Sequence, residues 1–127
     1  MRDVPRVLHD LQPIRADHTV SPAGVVWRLA EAGRQLDANV LNLPAGQTIG
    51  THAEPDLDVL LVIVAGCGTL GTETGRLTLL PGELVWLPRG STRSLTAGTD
   101  GLAYLTVHRR RPGMQIRSSG ADRPPPS

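Results

Sequence analysis

An all-β fold is predicted by three features of this 127-residue chain. Short apolar stretches recur at regular spacing, glycines and prolines fall between them, and no segment holds a capped helical period. With no Phe, one Tyr and two Trp, the core is mostly Leu and Val, a composition that leans towards sheet. The length suits one domain with a real core, not two.

The elements follow in chain order. Residues 1–24 carry prolines at 5, 13 and 22 and predict an N-terminal extended arm with at most short strands. Residues 25–112 form the single domain. There "VVWRLA" (25–30) and "LDANVLNL" (36–43) flank "EAGRQ", whose Gly33 suits a hairpin turn. "LDVLLVIVAG" (57–66) is apolar on both faces, as a strand buried on two sides would be. "GTLGT" and "RLTLL" flank "ETG" as a second hairpin, with Gly75 able to take a positive φ. "ELVWLP" (83–88), "RSLTAG" (93–98) and "LAYLTVHR" (102–109) complete about eight short strands, the pattern of a sandwich or small barrel. Residues 113–127 are polar, end near three consecutive prolines, and predict a flexible C-terminal tail.

Charge and cysteine content narrow the function classes. A net charge of +1 argues against electrostatic binding of nucleic acid. The one basic run, "HRRRPG" (108–113), reads as a solvated strand terminus. No apolar window of about 20 residues suits a membrane span, and the first residues lack the apolar region of a leader. The single Cys67, in the turn-like "AGCG", has no partner for an internal disulfide. A cytoplasmic protein with a small-molecule ligand, and with neither membrane nor nucleic acid as partner, is the expectation. Because both faces of 57–66 are apolar, a homodimer is expected as well, although the N-terminal arm could cover that surface instead.

The order of Gly-rich turns, His and Pro resembles the cupin superfamily, whose first signature is G-x5-H-x-H-x(3,4)-E-x6-G and whose second is G-x5-P-x-G-x2-H-x3-N. Gly46 and His52 fit the start of the first, and "GELVWLPRGSTRSLTA" places Gly82, Pro88 and Gly90 at the spacing of the second. The resemblance covers about residues 25 to 110 and implies a cupin-type jelly-roll β-barrel. In the family, two histidines and a glutamate of the first signature and a histidine of the second usually hold one divalent ion. Here Glu54 stands at the second histidine position. The glutamate position falls on Asp58 or Val59 according to the spacing counted, Arg93 stands at the last histidine position, and Ala97 at the asparagine.

Arginine keeps its proton and has no lone pair for a metal. Facing Glu54 or Asp58 it makes a charge-assisted pair; facing a pocket it can grip an anion bidentately. The expectation is therefore a small molecule bound in the barrel without a catalytic metal and without a cofactor. The ligand-binding candidates are His52, Glu54, Asp58, Arg93, Trp86 and His108. Two alternatives stay open. In one, a metal-dependent oxygenase or isomerase holds manganese, iron or zinc on His52, Glu54 and Asp58. In the other, a non-catalytic scaffold or interaction protein uses the fold alone.

Other residues have simpler readings. Tyr104, Thr106 and His108 share one face of their strand by period two. Trp27 and Trp86 lie on predicted strands, and either could wall the barrel mouth. His9 and His18, in the arm, are expected to be solvated.

Overall fold

A computed structural model describes residues 4–111; the predicted tail, 113–127, lies outside them. Seven strands account for most of the described residues: β1 Gly24–Arg28, β2 Leu36–Leu43, β3 Thr48–Ala53, β4 Val59–Thr72, β5 Gly75–Leu79, β6 Leu84–Leu87 and β7 Thr92–Arg109. All pairings are antiparallel.

Two long strands organise everything else. The first part of β4 (59–66) pairs with β6 and with the last part of β7 (102–108), which in turn pairs with β2 and through it β1. The second part of β4 (68–72) pairs with β5 and with the first part of β7 (93–97), which pairs with β3. The chain thus makes a five-stranded layer, β1-β2-β7-β4-β6, and a four-stranded layer, β3-β7-β4-β5, which share β4 and β7. The all-β class expected from sequence is what the structure shows; the hydrogen-bonded sheet has open edges and does not close on itself, so it does not establish the expected barrel.

The sequence pattern divides β4 and β7 into separate strands at their glycines. The structure keeps each strand whole. Gly66 (φ 73°) and Gly101 (φ 86°) bend the strands without ending the pairing, and the register shifts beside Gly66. Position 66 admits no other residue without strain. A Cβ there would lie 2.3 Å from the Gly101 carbonyl oxygen and 2.8 Å from the His18 Nε2. The turns at Gly33 (φ 73°) and Gly75 (φ 141°) use the positive φ that only glycine takes easily. Strand β3 was not among the strands expected. "TIGTHA" is poor in large apolar residues and mostly exposed, so its pairing with β7 rather than its composition makes it a strand.

The core lies between the layers. Leu43, Leu61, Ile63, Leu70, Leu79, Leu95, Ala97, Leu102 and Tyr104 meet there, contributed by strands of both. A second cluster forms on the outer face of the five-stranded layer, where Ile14, Val40, Val64, Ala65 and Ala103 pack with Leu11 and Trp27. The arm supplies Leu11 and Ile14, and is not simply extended. It forms a short helix, α1 Gln12–Ala16, opened by Pro13, and a 3-10 turn at His18–Val20. Buried Asn42 holds it by donating from Nδ2 to the carbonyls of His18 (3.0 Å) and Ser21 (2.9 Å). His18 is docked and not solvated as expected, its Nε2 lying 2.6 Å from the Asp100 carbonyl. His9 stacks on Trp27, with ring centroids 5.5 Å apart. The arm therefore covers part of the apolar outer face, whereas Leu60, Leu84 and Trp86 remain exposed beyond it.

Candidate functional site

A cavity of about 490 Å³ opens between the layers at the end away from the docked arm. Its walls come from period-two alternation on strands of both layers. Strand β3 brings Ile49 and His52, and the first part of β7 brings Arg93 and Leu95. The last part of β7 brings Tyr104, Thr106 and His108, all on one face as the sequence pattern requires. Val59, Leu61, Leu70 and Leu87 add apolar wall, and the segment after β3 adds Glu54 and Asp56 at the rim.

His52 and Arg93 are direct partners across the β3–β7 pair. The His52 Nδ1 donates to the Gly50 carbonyl at 2.8 Å and the His108 Nδ1 to the Arg109 carbonyl at 2.7 Å. Because a carbonyl only accepts, each ring carries its proton on Nδ1 when neutral, leaving Nε2 as an acceptor. Arg93 is only 5% exposed. Its Nη1 donates to the Ser91 carbonyl at 2.9 Å and reaches the Ser91 hydroxyl at 3.5 Å. Desolvation lowers the pKa of this guanidinium and the nearby Glu54 charge partly restores it, yet arginine stays protonated at any working pH.

The carboxylates are engaged elsewhere. Glu54 pairs with Arg111 and accepts from the Asp56 backbone N–H at 2.7 Å. Desolvation pushes the Glu54 carboxyl up, but the hydrogen bonds from Asp56 and Arg111, with the Arg111 charge, together outweigh it and hold the pKa below its ordinary value. Asp58 lies outside the cavity wall. It accepts from the Arg89 backbone N–H at 2.9 Å and faces the Arg89 guanidinium at 3.5 Å, so it braces the turn after β6. The expected pairing of Arg93 with Glu54 or Asp58 is not formed: among the described residues, neither carboxylate is an ion-pair partner of Arg93. Burial raises the Tyr104 hydroxyl pKa to about 12, so it stays a protonated donor.

Of the six candidate residues, the structure brings His52, Glu54, Arg93 and His108 to one cavity. It places Asp58 and Trp86 elsewhere. Trp86 is 61% exposed on the outer face beside Leu60, because inward and outward positions alternate and Val85 and Leu87 take the inward ones. The set His52, Glu54 and Asp58 proposed for a metal is therefore not assembled. Among the described residues, no group of three or more His, Cys, Asp and Glu side chains is arranged to hold an ion. The donors present do not fit the ion-holding set implied by the resemblance, since an arginine stands where the last imidazole would be.

Sequence reasoning missed Arg111 and Asp56. Arg111 reads from sequence as part of a solvated basic run, although that run directly continues the strand that carries Tyr104, Thr106 and His108. This continuity was the signal available.

No family model matches the sequence, and no curated protein matches it. Solved structures do. A protein of Bacillus halodurans superposes with a TM-score of 0.67 at 17% identity, covering 86% of this chain and 85% of that one. A cupin protein from Bacteroides fragilis gives 0.59 at 15% identity, covering 78% and 89%. A sugar phosphate isomerase from a cupin superfamily, from Silicibacter pomeroyi, gives 0.60 at 22% identity, covering 73% and 68%. At these identities the likeness is one of fold, and the fold is that of cupin-superfamily proteins.

Proposed function

We propose that this chain binds a small molecule in the cavity between its layers, in a jelly-roll frame and without a catalytic metal. The observation that carries this reading is the cavity wall itself, in which apolar side chains surround a buried arginine at a position where the metal-binding pattern has an imidazole. A concave, largely apolar site with a few convergent polar groups is the usual form of a ligand pocket, and its volume lies in the range of such sites. An open cavity with charged and titratable groups favours a ligand over a role as scaffold. The isomerase of similar fold keeps an enzymatic role in view, with the Nε2 atoms of His52 and His108 as the available proton acceptors.

The test has two parts. Methyl-labelled protein screened against small organic fragments should show shifts at Ile49, Leu61 and Leu95. Native mass spectrometry and calorimetry with manganese, iron(II) and zinc should show no stoichiometric uptake. Tight one-to-one metal binding would overturn the metal-free reading and point to the metal-dependent enzyme.

A further inference from the structure

We infer that the cavity takes a ligand with one carboxylate on an apolar body, and that the Arg93 guanidinium holds the carboxylate. This rests on the cavity being a small-molecule site.

The buried charge of Arg93 is only partly balanced. Arg93 is 95% buried by its 5% exposure, and its protein acceptors among the described residues are both on Ser91, reached through Nη1. Nε and Nη2 have no protein acceptor among those residues. No sealed polar side-chain atom among them lacks a partner, so these two nitrogens open onto the cavity that Arg93 lines. The two carboxylates nearest in sequence logic are already engaged, Glu54 with Arg111 and Asp58 with Arg89. Glu54 acts on Arg93 only through space and is bonded to Arg111, so two arginines share one carboxylate. A buried charge only partly balanced is costly, and a carboxylate entering from outside would complete the balance. The Nε–Nη2 edge of a guanidinium matches a carboxylate with two parallel hydrogen bonds.

The surroundings decide the kind of anion. The wall is largely apolar, with Ile49, Leu61, Leu70, Leu87 and Leu95, which suits a hydrocarbon body and leaves few groups to replace the hydration of a dianion. At the rim Arg111 is taken up by Glu54, which leaves the charge of Asp56 to disfavour a second negative charge on the ligand. The Tyr104 hydroxyl, a donor throughout the working pH range, lines the same cavity and can donate to a carboxylate or an adjacent polar group. These features favour a monocarboxylate over a phosphate.

The experiment titrates the intact, isotope-labelled protein with hexanoate and separately with hexanamide, a neutral ligand of almost the same shape. Hexanoate should bind at least tenfold more tightly and shift both the Ile49 and Leu95 methyls and the Arg93 Nε–H signal. Arg93→Met should reduce hexanoate to the affinity of hexanamide. Equal affinity for the two in the wild type would overturn the carboxylate inference and leave the cavity reading standing. Methyl signals unmoved by either ligand would overturn both. A preference for hexanoate that survives Arg93→Met would assign the anion to another residue and defeat the inference, as would displacement of hexanoate by equimolar inorganic phosphate. Should Arg93→Met fail to fold, the wild-type affinity ratio and the Arg93 Nε–H signal decide the matter.

Discussion

Between its layers the molecule has a packed end and a hollow end, built by the same strands. Inward positions along the last part of β7 run Leu102, Tyr104, Thr106, His108, and along its first part Ala97, Leu95, Arg93. Each series passes from apolar residues in the core to polar ones at the cavity. At the packed end, Leu43, Ile63, Leu79 and Leu102 interlock, and glycines at 66, 68 and 101 let backbones approach too closely for any Cβ at 66 or 68. At the hollow end the same pleat presents Arg93, Thr106 and His108, which cannot fill the space as hydrocarbon would. One backbone periodicity thus gives stability at one end and a site at the other, and residue identity decides which.

Truncation separates the two ends most sharply. Leu102, with 0% exposure, touches protein on every side, so Leu102→Ala should cost about 3 kcal/mol through lost burial and a new void. Leu95 is also buried but already borders the cavity, so Leu95→Ala enlarges an existing space and should cost about half as much. Urea unfolding of both variants checks this. Equal losses would mean that the cavity wall is packed as tightly as the core, and the contrast would fail.

Arg93→Met probes the hollow end in the opposite direction. It replaces a buried cation that no carboxylate pairs among the described residues with an apolar chain of similar length, and should stabilise the free protein by about 1 kcal/mol. A site kept at the expense of stability behaves this way. A loss above about 1 kcal/mol would show that the Ser91 hydrogen bonds outweigh desolvation.

The smallest expected effect lies at the cavity rim. The folded-state pKa of Glu54 is below its ordinary 4.5, so its contribution to stability is present above that pH and is lost as pH falls through the lower, folded value. Arg111→Gln removes one cause of the depression and should raise the Glu54 pKa, flattening the acid limb of the stability–pH curve. Because the Arg111 side chain is 43% exposed and the pair is partly screened by solvent, the difference near neutrality should stay below about 1 kcal/mol. Carboxyl chemical shifts followed through an acid titration test this directly, and an unchanged Glu54 midpoint would remove Arg111 from the account.

What the sequence determined by itself was local. Alternation and turn residues fixed the all-β class, the hairpins at Gly33 and Gly75, and the inward face shared by Tyr104, Thr106 and His108. Motif spacing put His52 and Arg93 in one neighbourhood, where the structure makes them cross-strand partners. Everything that depended on distant partners was decided only by the tertiary structure. Gly66 and Gly98 read as ends of strands because glycine usually marks a turn, and only the continuing β4–β7 pairing shows that both strands run on. Asp58 and Trp86 looked like site residues by spacing, yet the first braces Arg89 and the second falls on the outward phase of β6. Arg111 took the carboxylate expected for Arg93 from 57 residues away in sequence, a competition that no local pattern records. Period-two geometry is a property of the chain, so it can be read from the chain. Charge pairing is a property of space, settled when several arginines and a few carboxylates are folded within reach of one another.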